Sequence, residues 1–283
     1  MSASLVAVLG VGLVDPAAPI LRADDLGATR GDGCFEGCRI RTDQDGASTV
    51  DKLDAHLARM ARSAAGLGLP FDARAWRELV ELACRSWTTT PGEAALKLVL
   101  TRGVDDQATG YLTVTPISED YARLRRDGLR IVTLSRGLTS DAFTDAPWLL
   151  GGIKSLSYAV NMAALREVER RGVDDALFLS TDGRVLESPT GSVIWASGRT
   201  LTTTPAEGTG ILGGTTQARL FEQAAGAGWT VGTQLIGLDQ LHAAEAVWLT
   251  SSVRGPVEVV EIDGRPRARR PELDVEIRRL SGF

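Results

Sequence analysis

Histidine and cysteine are both scarce in this chain, and this limits its metal chemistry. Two of the 283 residues are histidine, His56 and His242, and three are cysteine. Two histidines are too few for a multi-histidine centre, and Cys34 and Cys38 lack the second Cys/His pair that completes a zinc site. We therefore expect no metal site, and we interpret the three cysteines as reduced thiols.

Long apolar runs and a surplus of basic residues are also missing. No stretch of about 20 uninterrupted apolar residues occurs, and the opening MSASLVAVLGVGLVDPAAP lacks the basic flank and cleavage pattern of a signal peptide. With the reduced cysteines, these absences predict a cytoplasmic protein that does not bind a membrane. The net charge of −5, with acids and bases interspersed, gives no basic stripe and argues against a nucleic-acid partner.

The hydrophobic residues that are present, 43% of 283, suffice for one large or two ordinary domains. In KLDAHLARMARSAAGLGLP, Leu53, Leu57, Met60, Ala64 and Leu67 recur at helical spacing, so this stretch predicts an amphipathic helix. AWRELVELACRSW predicts a second helix, and ALKLVLTRG and YLTVTPI predict two strands. Together these stretches make a small α/β unit.

A polar segment, SEDYARLRRDG at residues 118–128, offers few core candidates and suggests a domain boundary. Beyond it, LRIVTL, SVIWA and AVWLTSSV predict strands, DALFLSTDGRVLE predicts a hairpin with an Asp-Gly turn, and TTQARLFEQAAGAG predicts a helix. We therefore predict a small α/β domain over residues 1–120 and a larger, β-rich α/β domain over residues 121–283.

A glycine-rich stretch spells G-x-G-x-x-G with Gly208, Gly210 and Gly213. A dinucleotide fingerprint needs a strand that runs straight into the first glycine, but Pro205 and Glu207 intervene, so we do not favour a nicotinamide site. Backbone N–H groups at the start of the following helix still make an anion site, most naturally for a phosphate. An ordinary loop with a capping threonine is the equally simple alternative.

Three charged residues invite a chemical role, although each also has a plain structural explanation. Lys154, in GGIKSLSYAVN, precedes a largely apolar helix; it either extends its ammonium to water or is desolvated, which would free its amine for a Schiff base. Glu187 ends a strand, where it is a surface charge or the partner of a protonated ring nitrogen. Arg59 lies on the polar side of its predicted helix and, taken alone, is a solvated arginine.

The joint occurrence of these groups points to one cofactor. A lysine can bind an aldehyde, a carboxylate some thirty residues later can pair with a pyridinium nitrogen, and glycine and hydroxyl loops can bind a phosphate. These are the groups that pyridoxal 5'-phosphate requires. Residue types alone leave this interpretation open.

The sequence resembles the fold-type IV pyridoxal-phosphate enzymes, the class IV aminotransferase family. Its members include branched-chain and D-amino-acid aminotransferases and aminodeoxychorismate lyases. The resemblance implies the two-domain α/β (α+β) fold of the branched-chain aminotransferases, and it covers nearly the whole chain. It rests on seven collinear motifs: RGDGCFEGCR, HLARMARSAAGLGL, LKLVLTRG, IKSLSYAVNMAALRE, DDALFLSTDGRVLESPTGSVIW, GILGGTTQARLF and VWLTSSVRG.

Carried over residue by residue, the resemblance implies a cofactor site. Lys154 would be the catalytic Schiff-base lysine, Glu187 the partner of the pyridine nitrogen, and Tyr158 a ring-contacting tyrosine. Arg59, in HLARM, would bind the phosphate and would not be a solvated arginine. The remaining phosphate contacts would be Thr215, Thr216, Ser251 and Ser252.

The resemblance also implies the substrate class and a homodimer. Arg39, Lys97 and Arg102 fall where members bind the carboxylates of small amine and carboxylate substrates, so the site is expected between the domains with help from a second subunit. RGDGCF and Lys97 favour 4-amino-4-deoxychorismate lyase, which makes 4-aminobenzoate and pyruvate for folate biosynthesis. One feature argues against the lyase: the tripeptide FEG matches the aminotransferase motif, with Gly37 where the lyase motif has threonine.

Three alternatives to the lyase remain at this stage. An aminotransferase acting on D-amino acids or branched-chain amino acids would use the same Lys154 and Glu187. A non-catalytic protein that binds a phosphorylated metabolite would have the phosphate loops without the chemistry. A nicotinamide oxidoreductase is the most remote of the three.

Overall fold

The computed structural model describes residues 5–87 and 91–283, which form two compact units. The first unit comprises the chain up to Ser118 together with Ile153–Tyr158, and the second comprises Glu119–Gly152 and Ala159–Phe283. The short segment around Lys154 thus belongs to the first unit, although the predicted domain of residues 121–283 includes it. The proposed domain boundary at residue 120 stays a prediction.

The first unit is built on an antiparallel sheet. Its strands are β1 (Leu5–Val8), β2 (Gly12–Val14), β3 (Gly33–Thr42), β4 (Ser48–Val50), β5 (Gly92–Val104) and β6 (Gln107–Pro116). They are ordered β2-β1-β6-β5-β3-β4. The strands predicted from ALKLVLTRG and YLTVTPI are β5 and β6, and these two pair with each other.

Three helices accompany this sheet: α1 (Leu26–Arg30), α2 (Leu53–Gly66) and α3 (Ala73–Ser86). The helical spacing in the sequence predicts α2 correctly, since Leu57, Met60 and Ala64 are all buried. Helix α3 begins after Asp72, whose side chain accepts hydrogen bonds from two backbone N–H groups of its first turn. The short α1 was not predicted from the sequence.

The two faces of the first sheet differ in chemistry because side chains alternate along each strand. Most of the apolar even-numbered residues of β3 and β5, such as Cys38 and Leu98, belong to the hydrophobic core. The odd-numbered residues form the opposite face, where Gly37 of β3 stands directly across from Lys97 of β5. This arrangement separates Lys97 from the core side chains of its own strand.

The second unit contains a mixed sheet. Its strands are β7 (Leu129–Ser135), β8 (Asp175–Leu179), β9 (Ser192–Ser197), β10 (Thr200–Thr203), β11 (Thr230–Thr233), β12 (Ala246–Ser251), β13 (Gly255–Ile262) and β14 (Arg265–Pro266). Their order is β11-β10-β9-β12-β13-β7-β8, and β14 pairs with β13. Parallel pairs join β13 to β7, β7 to β8 and β10 to β11.

The helices of the second unit are α4 (Asp120–Asp127), α5 (Ala159–Arg171), α6 (Thr215–Gly226), α7 (Leu238–Ala243) and α8 (Pro271–Ser281), with a 3₁₀ turn at Pro147–Leu149. The charged segment at residues 118–128 contains α4, of which one side chain, Leu124, is buried. Since both units combine a sheet with helices, the predicted α/β fold class is confirmed. In the described ranges, every helix is too short or too polar to cross a membrane.

Candidate active site

The backbone around Lys154 is held by β3 and α2 of the first unit. The N–H of Phe35 donates to the carbonyl oxygen of Lys154 at 3.0 Å, and the N–H of Leu156 donates to that of Gly33 at 2.8 Å. On the other side, the N–H of Lys154 donates to Ser63 Oγ of α2 at 3.1 Å. The segment thus extends the pairing of β3, and the backbone position of Lys154 is fixed by two elements.

Two aromatic rings surround the Lys154 amine. Its Nζ lies 4.4 Å from the centroid of the Phe35 ring and 5.9 Å from that of Tyr158. The two rings meet edge to face, with centroids 5.2 Å apart. The helix that follows Lys154, α5, begins only at Ala159. Phe35 and Tyr158 therefore supply aromatic contacts to the amine from the first unit.

Arg59 is buried and bound to a carboxylate. Its Nε donates to Glu36 Oε1 at 2.6 Å and its Nη2 donates to Oε2 at 2.8 Å. Nδ1 of His56, one turn earlier on α2, lies 2.7 Å from the same Oε2. Arg59 is 6% exposed, and Glu36 and His56 are fully buried. The interpretation of Arg59 as a solvated arginine is therefore wrong, because α2 carries a second, polar stripe that faces β3.

The charges in this trio follow from its contacts. Burial of Glu36 opposes its ionisation, but hydrogen bonds from Arg59 and His56 outweigh burial and lower the pKa of Glu36 to about 2. Burial lowers the pKa of His56 despite the neighbouring carboxylate. At neutral pH the site therefore contains ionised Glu36, cationic Arg59 and neutral His56. Because an ionised carboxylate only accepts, Nδ1 of His56 must carry the ring proton.

A metal ion does not suit this cluster, although ligand atoms of Glu36, Cys38 and His56 lie within 4.8 Å of one another. Both oxygens of Glu36 already accept hydrogen bonds, and the Arg59 charge lies beside them. Burial also raises the pKa of the Cys38 thiol well above its usual value, which opposes formation of the thiolate that binds metals. Glu36, Arg59 and His56 form an ion-pair and hydrogen-bond network.

Among the three predicted substrate cations, two are engaged by carboxylates. Arg39 is buried and pairs with Asp51 and Glu93, and Arg102 binds Asp32 and a backbone carbonyl. Lys97 is exposed, its Nζ lies 5.9 Å from the Phe35 ring centroid, and no described carboxylate forms an ion pair with it. Of the three cations, Lys97 is therefore the most available to bind a substrate carboxylate, because no described carboxylate of the protein would have to be displaced.

In the second unit, Glu187 lies in a segment that returns antiparallel beside the end of β8, where Val185 pairs with Leu179. The backbone carbonyl of Glu187 accepts from the N–H of Phe178 at 2.9 Å, which fixes this segment to the sheet. One carboxylate oxygen accepts from the N–H of Leu212 at 3.1 Å, within the glycine-rich loop. The side chain is half-buried, so it is neither a core residue nor a freely solvated surface charge.

The predicted phosphate residues of the second unit are assembled at the start of α6. Thr215 Oγ1 lies 2.9 Å from Ser252 Oγ, and the Ser251 hydroxyl accepts from the N–H of Arg254 at 3.3 Å. The first turn of α6 has no side-chain cap, and Thr216 Oγ1 is buried without a hydrogen-bond partner among the described residues. An uncapped helix N-terminus beside an unpaired hydroxyl suits an anion such as a phosphate.

Sequence reasoning missed several residues behind these groups. His56 received no role, although it stands three residues before Arg59 and so shares its helix face. Glu36 and Phe35 appeared only as part of a motif, and Ser63 was not noticed at all. Their roles depend on contacts between β3, α2 and the Lys154 segment, which are far apart in sequence.

Comparison with known proteins places these observations in a family. The profile of the amino-transferase class IV family matches residues 33–262. A relative from Mycobacterium tuberculosis, described as a bifunctional aminodeoxychorismate lyase / D-amino acid transaminase, is 39% identical over 281 residues and covers 96% of each chain.

Solved structures agree with this relationship. A hypothetical aminotransferase from Mycobacterium tuberculosis in its PLP-bound form has a TM-score of 0.92 at 38% identity, covering 98% of this chain and 97% of the other. Its form with bound alpha-ketoglutarate and PMP has the same TM-score at 39% identity and the same coverage. The fold IV transaminase CpuTA1 from Curtobacterium pusillum has a TM-score of 0.89 at 38% identity, covering 99% and 100%.

Proposed function

Since the chain belongs to the class IV aminotransferases, we propose that it is a 4-amino-4-deoxychorismate lyase, which makes 4-aminobenzoate and pyruvate for folate biosynthesis. The chain is a pyridoxal-phosphate-dependent enzyme. The observation that carries the lyase proposal is the 39% identity, over 96% of both chains, to a relative named for this activity. We further propose that it acts in the cytoplasm as a homodimer, on a small amine and carboxylate substrate, without nucleic-acid or membrane partners.

The residues fit the cofactor. Lys154 would hold its aldehyde carbon, Tyr158 would contact its ring, and Glu187 would keep a proton on its ring nitrogen. The buried, unpaired hydroxyl of Thr216 supports a phosphate at the start of α6, and the assigned phosphate contacts are Arg59, Thr215, Thr216, Ser251 and Ser252. When bound, pyridoxal phosphate supplies an electron sink for the carbanion that forms when the substrate loses a proton.

Lys154 would move the protons of the reaction. Its amine takes the proton from the amine-bearing carbon of the substrate and returns a proton to the departing enolpyruvyl group, which leaves as pyruvate. The remaining ring becomes aromatic, and atoms balance without water. Phe35 and Tyr158 restrict the position of this amine, since their rings lie within 6 Å of Nζ.

Lys97 is the proposed contact for a substrate carboxylate. Arg39 and Arg102 already bind acidic side chains, so a substrate would have to displace those pairs. Lys97 stands across from Gly37, and a Cβ at Gly37 would meet no atom within 4 Å. The glycine therefore leaves open space beside the ammonium.

D-amino-acid transamination is a second candidate activity, because the same relative is named for both reactions. The two activities would share Lys154 and Glu187 and would differ in where the proton is returned. Branched-chain amino acids are the other substrate class of this alternative, and their transamination would use the same residues.

Parallel assays test the proposal. The purified holoenzyme receives 4-amino-4-deoxychorismate, with 4-aminobenzoate followed by fluorescence, and separately D-alanine or L-leucine with 2-oxoglutarate. We expect 4-aminobenzoate to form, and we expect Lys154→Ala to slow its formation about a thousandfold. Lys97→Met should mainly raise KM for aminodeoxychorismate, because it removes a charge without removing the cofactor lysine. Product from the amino acids alone would contradict the lyase assignment.

A further inference from the structure

We propose that Glu36 and His56 are positioning residues that orient Arg59 toward the phosphate group of the cofactor, and so make the enzyme selective for the phosphorylated form. This inference rests on the proposed role of Arg59 as a phosphate contact. Neither Glu36 nor His56 would touch the cofactor. Each would act through the guanidinium of Arg59.

The geometry of the trio fixes the guanidinium in one plane. Glu36 binds Arg59 through two parallel hydrogen bonds of 2.6 and 2.8 Å, an arrangement that fixes direction as well as distance. His56 then binds the same carboxylate at 2.7 Å and restricts its rotation. Since Glu36 and His56 are fully buried, bulk water does not compete for their hydrogen bonds.

The protonation states make this arrangement specific. Glu36 stays ionised because its donors lower its pKa to about 2. Its negative charge matches the single positive charge of Arg59, while neutral His56 donates a hydrogen bond without adding a second cation. Replacing Glu36 by glutamine would leave a buried arginine beside a neutral amide. The amide oxygen can accept a hydrogen bond from Arg59, but the amide nitrogen cannot, so the pair of parallel hydrogen bonds would be lost.

The same helix links this network to the cofactor lysine. Ser63, four residues after Arg59 on α2, accepts the backbone N–H of Lys154, and Phe35, next to Glu36 on β3, donates to the Lys154 carbonyl. Two adjacent elements therefore hold both the lysine backbone and the arginine side chain. A small rotation of Arg59 would change phosphate binding and leave the lysine anchored.

Binding measurements on the apoprotein test the proposal without any assay of turnover. Dissociation constants for pyridoxal phosphate and for pyridoxal, which lacks the phosphate, are measured by absorption titration. Glu36→Gln should weaken pyridoxal phosphate binding about tenfold or more, because a charge-assisted contact is lost, and should change pyridoxal binding less than about twofold. Arg59→Gln should reduce the selectivity similarly, and the double variant should lose little more than either single variant.

Two controls distinguish a positioning role from a general loss of structure in the variants. Asp25→Asn alters another buried carboxylate of the same unit, one that accepts from Thr101 at 2.8 Å, and should leave the selectivity unchanged. His56→Asn keeps an N–H donor near the Nδ1 position, so it should retain more selectivity than His56→Leu. This pair tests the idea even if Glu36→Gln fails to fold.

The inference would be overturned by equal loss of both affinities in Glu36→Gln, by loss of selectivity in Asp25→Asn, or by identical selectivity in the two His56 variants. Unchanged selectivity in Arg59→Gln would remove its premise, and so overturn it as well. A failed lyase assay would instead refute the proposed reaction, because these binding measurements do not depend on turnover.

Discussion

The charge on Glu36 links a single side chain to the acid stability of the first unit. Its pKa falls from 4.5 to about 2 in the folded chain. A carboxyl with a lowered folded pKa stabilises the fold fully above its unfolded pKa and loses that effect as pH falls through the folded value. The contribution of Glu36 is thus present above about pH 4.5 and disappears toward pH 2, and its size is on the order of 3 kcal/mol.

We therefore expect Glu36→Gln to flatten the acid limb of the stability curve. The free energy of unfolding of the apoprotein, measured in urea from pH 7 to pH 3, should fall less steeply below pH 4.5 in the variant than in the wild type. His56 and His242 also have lowered pKa values, so both proteins should begin to lose stability below about pH 6.5. Equal slopes below pH 4.5 would show that another carboxyl controls this limb.

The charged groups around Glu36 support this assignment. Arg59 and His56 face it from α2, and the thiols of Cys34 and Cys38 lie near it on β3. Burial raises the pKa of Cys34 to about 12 and also raises the pKa of Cys38 well above its usual value, so both thiols stay neutral across the tested range.

Some site residues could be selected from the sequence, whereas the environment of others could not be predicted. Lys154 and Glu187 could be selected because their types and order match the chemistry of one cofactor. The burial of Arg59 could not be derived from spacing, since the periodic residues of α2 are apolar and its polar stripe becomes visible only when Glu36 of β3 faces it. The assigned site residues themselves stay predictions until they are tested by substitution.

At the scale of elements, the turn at residues 188–191 connects Glu187 to β9 and depends on a close backbone approach. The N–H of Ser188 donates to the carbonyl oxygen of Gly191 at 2.9 Å. A Cβ at Gly191 would overlap the carbonyl oxygen of Thr250 and lie 3.0 Å from its carbonyl carbon. Because both atoms belong to the backbone of β12, side-chain rotation cannot relieve the overlap.

Gly191→Ala should therefore lower the free energy of unfolding by roughly 1–3 kcal/mol. Gly213→Ala is the matched control, because a Cβ there would meet no atom within 4 Å, and it should change stability by less than about 1 kcal/mol. Chemical denaturation of the two variants measures both effects. A Gly191→Ala variant as stable as Gly213→Ala would mean that β12 moves aside at little cost.

Helices and strands with a clear periodicity of hydrophobic residues were predictable from the sequence, and elements without this periodicity were not. Helices α2, α3 and α6 follow from their hydrophobic spacing, as do the strands β5, β6 and β9. Helix α4 has a single buried side chain, Leu124, so its periodicity gives little signal. The five-residue α1 depends on a cap, since Asp25 accepts from the N–H of Gly27 at 2.7 Å.

For the whole molecule, the collinear motifs were enough to predict the family and its fold, because they extend over most of the chain. The family profile matches residues 33–262. What the motifs could not supply is the substrate, because two reactions are named for one relative.

The central claim, that Lys154 carries the cofactor, can be tested over the entire chain because it contains three lysines, Lys52, Lys97 and Lys154. Lys97 is the informative competitor, since its Nζ lies 5.9 Å from the same Phe35 ring that Lys154 approaches to 4.4 Å. The holoenzyme is reduced with borohydride, digested, and mapped by mass spectrometry. We predict one phosphopyridoxyl group per chain, on Lys154, and none in Lys154→Ala. Labelling of Lys97 or Lys52 in the wild type, or no labelling at all, would contradict the account.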